Sequence, residues 1–262
     1  MHPDSTAQAG PAAPPIAARV ALRAPLTWLA LGWQDLRATR FRGLFYGLVF
    51  ALMGAAIDTV YRTQWQLTMG LTAGFFLVGP FVCTGLYELS RQRERGEPVS
   101  LAKSLLCWRR NLGAIAFFAA ILTFAMIVWA RVSVVLFALA STTAFPTVRD
   151  MLGQIVSLQN IEFLALWTAV GFVFASLVFA ISLVSVPLML DRRIDTMMAI
   201  FSSARALAAN PAPAYLWAAT IVAIIGASLV LWLGLLVVTA PLVGHATWHA
   251  YRALVLTGPP PA

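Results

Sequence analysis

The sequence predicts an all-α polytopic transmembrane bundle of about six spans, and three observations carry that prediction. The 262-residue chain is 60% apolar and only 11% charged, where soluble domains carry roughly 25% charged residues. Its long apolar runs reach the ~20 residues a helix needs to cross hydrocarbon. Basic residues crowd onto alternate segments between those runs, 15 against three, the asymmetry that orients membrane helices. A soluble core cannot hide this much apolar surface, because even large domains leave much of theirs wet; lipid must solvate the rest.

The formal charge is +8, from 17 Arg, one Lys and ten carboxylates. In a soluble protein such an excess would point to nucleic acid. Between apolar spans it points to anionic lipid headgroups, so the expected partner is the bilayer and no nucleic acid. The preference for Arg over Lys suggests a GC-rich bacterial genome. Cys83 falls in a span and Cys107 in a basic segment, so no disulfide framework is expected.

Taken in order, residues 1–24 are rich in Ala and Pro (Pro3, Pro11, Pro14, Pro15) and read as a disordered tail. Leu26 to Arg42 sets Trp28, Leu31, Trp33 and Leu36 against Asp35, Arg37, Arg40 and Arg42, the pattern of a helix lying in the membrane interface. Spans follow near 43–60, 66–87, 112–130 and 161–190. The uncharged stretch 214–251 is too long for one straight helix and is expected to form a hairpin turning near Gly226, Ala227 and Ser228, with spans 214–227 and 229–251; a single tilted or re-entrant helix, giving five spans, is the alternative. Roughly residues 131–160 form the one sizeable outer loop, although apolar character continues through Arg131 and allows an over-long, tilted third helix. Residues 256–262 form a short C-terminal tail. The basic count places both termini in the cytoplasm of a bacterial inner membrane. Asp58 and Arg62, spaced i,i+4, are set for an ion pair.

A three-fold internal repeat is also expected. Pro80, Pro187 and Pro241 stand in similar surroundings at the ends of the inward-going spans. Upstream of each lies an amphipathic segment (33–42, 100–110, 195–209) and then a hairpin. Ser100 and Asp195 are placed to cap the second and third segments, and Asn210 before Pro211 to end the third. Four residues beyond the prolines stand Thr84, Asp191 and His245; eight beyond stand Glu88, Asp195 and His249. Steps of four keep a helix near one face, so packing of the units about a pseudo-axis would gather these groups at the cytoplasmic end.

His245 and His249 form the i,i+4 histidine pair of the chain. One helical turn apart, two imidazoles can bind one metal ion, with Asp191, Asp195 and Glu88 completing a nitrogen/oxygen set, or can serve beside haem. The competing reading has both histidines in an interfacial belt with Trp248, Tyr251 and Arg252. Nothing in the sequence fixes a cofactor. It holds no phosphate-binding glycine loop, zinc-protease helix or nucleophile elbow, and Gly70 and Gly74 have the spacing of close helix packing.

Trp33-Gln34-Asp35-Leu36-Arg37, Gly43-Leu44-Phe45-Tyr46-Gly47, Gly79-Pro80-Phe81, Tyr87-Glu88-Leu89-Ser90-Arg91 and the closing histidine run together resemble a bacterial family of predicted integral membrane proteins, domain of unknown function 2189. The resemblance covers roughly residues 30–255 and implies a multi-span inner-membrane protein; it carries over no catalytic residue. Three function classes stay open: a structural or accessory protein acting on lipid or on a membrane complex; a small transporter or channel, as a homo-oligomer, gated by the polar cluster; and a metal- or haem-binding membrane enzyme. A haem-copper oxidase subunit would need more ligands than the three His present.

Overall fold

The computed structural model describes residues 16–63, 67–140 and 161–256. The chain runs β1 (Ile16–Ala17), α1 (Ala24–Thr39), α2 (Phe41–Thr63), α3 (Thr68–Glu94), α4 (Leu101–Leu105), a 3₁₀ turn (Cys107–Asn111) leading into α5 (Leu112–Ala140), α6 (Ile161–Ser182), α7 (Ser185–Arg192), α8 (Thr196–Ala209), α9 (Pro211–Leu231), a second 3₁₀ turn (Leu233–Leu235), α10 (Leu236–Leu254) and β2 (Val255–Leu256). Among the described residues six helical stretches are long and apolar enough to cross a membrane. Their outward side chains, among them Leu52, Phe124, Phe172, Val222 and Val230, are exposed, a surface only hydrocarbon can solvate at low cost.

The core gathers around α10, which packs against α1, α2, α3 and α9. Glycine lets these helices meet backbone to backbone. A Cβ at Gly47 would lie 1.9 Å from the Val237 carbonyl oxygen, and one at Gly32 would lie 2.7 Å from the Ala246 nitrogen. The second hairpin, α5 with α6, joins through α3 and is zipped by Trp129 against Trp167 and Phe174. α8 packs across α6 and α7.

The amphipathic segments are helical and are caught between bundle and surroundings. α8 is capped as expected: the Asp195 carboxylate accepts from the Met198 N–H at 2.9 Å. It ends at Asn210, whose side chain holds the N-terminal segment by accepting from the Val20 N–H and donating to the Ala18 carbonyl. Ser100 caps α4 through the Lys103 N–H. Asp58 and Arg62 pair at 2.8 Å on the exposed end of α2.

Several expectations are corrected. The last hairpin turns at Trp232, in extended conformation, and not at Gly226, which lies inside α9. α5 continues through Arg131 to Ala140, so the outer loop does not begin at 131; the remainder of that loop lies outside the described residues. Pro80 and Pro241 do not end their helices, which run on to Glu94 and Leu254. Only near Pro187 does the helix break, at Leu183 and Val184, because the proline ring excludes the carbonyl four residues back. Among the described residues Gly70 and Gly74 meet nothing within 4 Å, so they mediate no close packing there. The tail expected over 1–24 lies outside the described residues only to residue 15; Ile16 and Ala17 pair antiparallel with Leu256 and Val255. In α1 the expected faces are partly exchanged: Asp35 is buried and Trp33 is exposed.

Candidate functional site

The polar end of the bundle, where both ends of the described chain lie, holds three linked side-chain networks. The first centres on Asp35. In α1, Trp28, Gly32, Asp35, Leu36 and Thr39 recur at helical spacing and form the buried face. The close approach at Gly32 brings that face onto α10. Asp35 there meets His249 Nε2 with Oδ2 at 2.9 Å and the Arg93 guanidinium with Oδ1. One turn deeper, His245 is fully buried. Its Nδ1 lies 2.7 Å from Ser90 Oγ and its Nε2 3.4 Å from Thr39 Oγ1. The Ser90–His245 contact thus joins α3 to α10, and the Thr39 contact brings in α1.

Burial pushes the Asp35 carboxyl up, but hydrogen bonds from His249 and Ser90, with the charges of His249 and His245, outweigh it and hold it below the ordinary 3.8. Asp35 is therefore a carboxylate at neutral pH, a buried anion satisfied by cation and hydroxyl donors.

The second network centres on Glu88. Arg91 grips it through two nitrogens at 2.8 and 3.1 Å, and Gln92 and Arg110 add bonds at 3.2 and 3.0 Å. Gln92 in turn accepts from the Ser100 N–H at 2.7 Å, so the set fastens α3 to α4 and the 3₁₀ turn. The third ties the ends of α3, α7 and α10. Tyr251 donates to Asp191 at 2.8 Å; Trp248 and Arg252 both donate to Glu94 at 2.9 Å. Arg95, Arg192 and Arg252 surround Asp191 at 3.7–3.8 Å.

The expected cluster thus separates. His245 and His249 share a network, but with Asp35, Ser90 and Thr39. Glu88 and Asp191 have their own arginine partners, Asp195 is a helix cap, and Thr84 donates to the Phe81 carbonyl. Among the described residues no three His, Cys, Asp or Glu side chains stand close enough to hold a metal ion. The 2.7 Å contact of Ser90 with His245 has the length of a nucleophile–base pair, yet both groups are sealed at 1% and 0% exposure, and the second ring nitrogen faces Thr39. This geometry braces three helices and offers no substrate a path to the hydroxyl. Asp35, Ser90, Arg93 and Glu94 were not singled out from the sequence. The signal for Asp35 was present in its seven-residue spacing from Trp28, on the face of Gly32 and Leu36.

The outer surface of this end has the opposite character. Arg37 lies over the Trp33 ring and Arg109 over the Trp108 ring, with guanidinium carbons 5.1 and 5.4 Å from the centroids. Among the described residues Arg23, Arg37, Arg40, Arg42, Arg109 and Arg193 are exposed and form no ion pair. Asp35, Glu88 and Asp191 are spent on partners inside, while these six cations are left outside.

No curated protein and no solved structure matches the chain. The family likeness is narrower than residues 30–255: it runs from the start of α3 to Asp191 in α7, which includes Glu88, Ser90 and Arg110 but neither α1 nor α10. The model of the family described as predicted integral membrane protein (DUF2189) matches residues 67–191, and together with the six membrane-length apolar helices this makes the chain an integral membrane protein.

Proposed function

We propose that the protein is a structural or accessory component of a bacterial inner membrane, with its basic end on the cytoplasmic side, and that it acts by engaging anionic lipid there. The observation that carries this reading is the sorting of charge. Asp35, Glu88, Glu94 and Asp191 are each held by arginine or histidine partners, so the exposed cations are not neutralised within the chain. Each basic side chain near an anionic leaflet contributes about 1 kcal/mol of attraction. The three amphipathic segments, each preceding a pair of spans, suit a collar at headgroup level, and the three-unit repeat read from the sequence would arrange them around the bundle. A gated transport path through the polar cluster is not favoured, because its members are spent on one another.

The test is lipid retention. The full chain, purified in mild detergent and offered equal phosphatidylglycerol and phosphatidylcholine, should keep the anionic lipid preferentially as read by native mass spectrometry. The preference should shrink between about 0.05 M and about 0.5 M salt as the screening length falls. Equal retention of both lipids at low salt would overturn the proposal.

A further inference from the structure

The junction of α1 and α2 divides its residues cleanly. Inward go Leu36, Thr39 and Gly43; a Cβ at Gly43 would lie 2.8 Å from Thr39 Oγ1 and 3.2 Å from His245 Nε2. Outward go Arg37, Arg40, Phe41 and Arg42, with Phe41 84% exposed. Three guanidinium groups thus fall within six residues spanning the last turn of one helix, the elbow and the first turn of the next. None has an ion-pair partner among the described residues. Elsewhere on the basic end the neighbouring cations are partly spent: Arg110 beside Arg109 is bound to Glu88, and Arg192 beside Arg193 to Asp191.

Two features mark the elbow as more than a solvated charge run. Arg40 sits at φ 48°, ψ −123°, a left-handed backbone position that glycine occupies without the Cβ penalty, yet the chain keeps a guanidinium there. Directly along α2 from the three arginines, Phe45, Leu48 and Leu52 repeat at helical spacing and are all exposed. Cations over a continuous apolar stripe match a molecule with an anionic head and hydrocarbon tails.

We propose that the α1–α2 elbow binds an anionic phospholipid, its phosphodiester held by Arg37, Arg40 and Arg42 and its acyl chains lying on Phe45, Leu48 and Leu52. This rests on the lipid-engaging reading above and assigns it a place. A soluble phosphate would gain nothing from the apolar stripe, so the occupant is the lipid.

Phosphatidylglycerol binding to the detergent-solubilised full chain, measured by native mass spectrometry, tests it. Arg40→Gly relaxes the backbone and should weaken binding about fivefold without lowering the melting temperature. The triple variant Arg37→Gln/Arg40→Gly/Arg42→Gln should weaken it about a hundredfold, taking each cation at the ordinary surface value. A comparison triple, Lys103→Gln/Arg109→Gln/Arg205→Gln, spread over the other two amphipathic segments, should weaken binding far less than the elbow triple. If the comparison triple loses binding and the elbow triple does not, the elbow assignment falls while the general reading stands. If the parent shows no preference for anionic lipid, both fall. If inorganic phosphate competes at concentrations equal to those of the lipid, the elbow is an anion site and the lipid assignment is overturned.

Discussion

Asp35→Asn removes the one charge that joins α1 to both α3 and α10 while keeping the side chain's shape. In the parent, the Asp35 side chain is 7% exposed and bound to Arg93 and His249, which are 31% and 19% exposed. Removing one member of a fully buried pair costs about 3–5 kcal/mol. Arg93 can still turn toward water and the amide can accept one bond, so the expected loss is about 2–3 kcal/mol at neutral pH. The pH dependence has a definite sign. The folded-state pKa of Asp35 is lowered, so its contribution is complete above the ordinary carboxylate pKa and is lost as pH falls through the lowered value. Unfolding in detergent, followed by the fluorescence of the buried Trp28 and Trp248, should show the variant less stable at neutral pH. The gap should close on acidification below about pH 4 and be insensitive to rising alkalinity. A loss under about 0.5 kcal/mol at neutral pH, or a gap that widens in acid, would refute the view that Asp35 clamps the interfacial helix.

Other perturbations read separate contacts. Glu88→Gln leaves the nearly buried Arg91 without its anion and should destabilise by about 3 kcal/mol, loosening α4 from α3 as seen by faster hydrogen exchange at Ser100. Gly47→Ala drives a Cβ onto the Val237 carbonyl and should cost about 1–3 kcal/mol; Gly74→Ala, with open space around it, should be neutral or stabilising by up to ~1 kcal/mol, and thermal unfolding of the pair compares them directly. Single cysteines at Gly96 and Trp232, on opposite ends of the bundle, should react with a membrane-impermeant maleimide from opposite sides, in cells and in inverted vesicles.

The spans were legible because each is a long apolar run, and lipid imposes a helix on any such run. Their ends were harder. Gly226 suggested a turn, yet a glycine facing hydrocarbon is compatible with α9, whereas the break comes at Trp232. Pro80 and Pro241 looked like stops, but membrane helices tolerate proline where neighbours re-satisfy the backbone. At the polar end, the Asp195 cap and the Asp58–Arg62 pair could be read because both are local. The partners of His249 and Glu88 could not: Asp35 lies 214 residues from His249 and Arg110 lies 22 from Glu88, and periodicity within one helix says nothing of which helix will face it. Counting forward from three prolines set His245 and His249 beside Glu88, Asp191 and Asp195, whereas the carboxylate that His249 meets is Asp35.

The docking of α1 against α10 has a consequence for biosynthesis. α1 is synthesised well before α10, yet it buries Asp35 against α10 and Trp28 against Trp217 of α9, and Ile16 and Ala17 pair with Leu256 and Val255. Throughout translation α1 must wait without its partner, its inner face dependent on lipid or a chaperone for cover. A chain truncated just before α10 can insert most of its spans yet cannot close, leaving the inner face of α1 with an uncovered carboxylate as a recognisable mark of incompleteness for quality-control proteases.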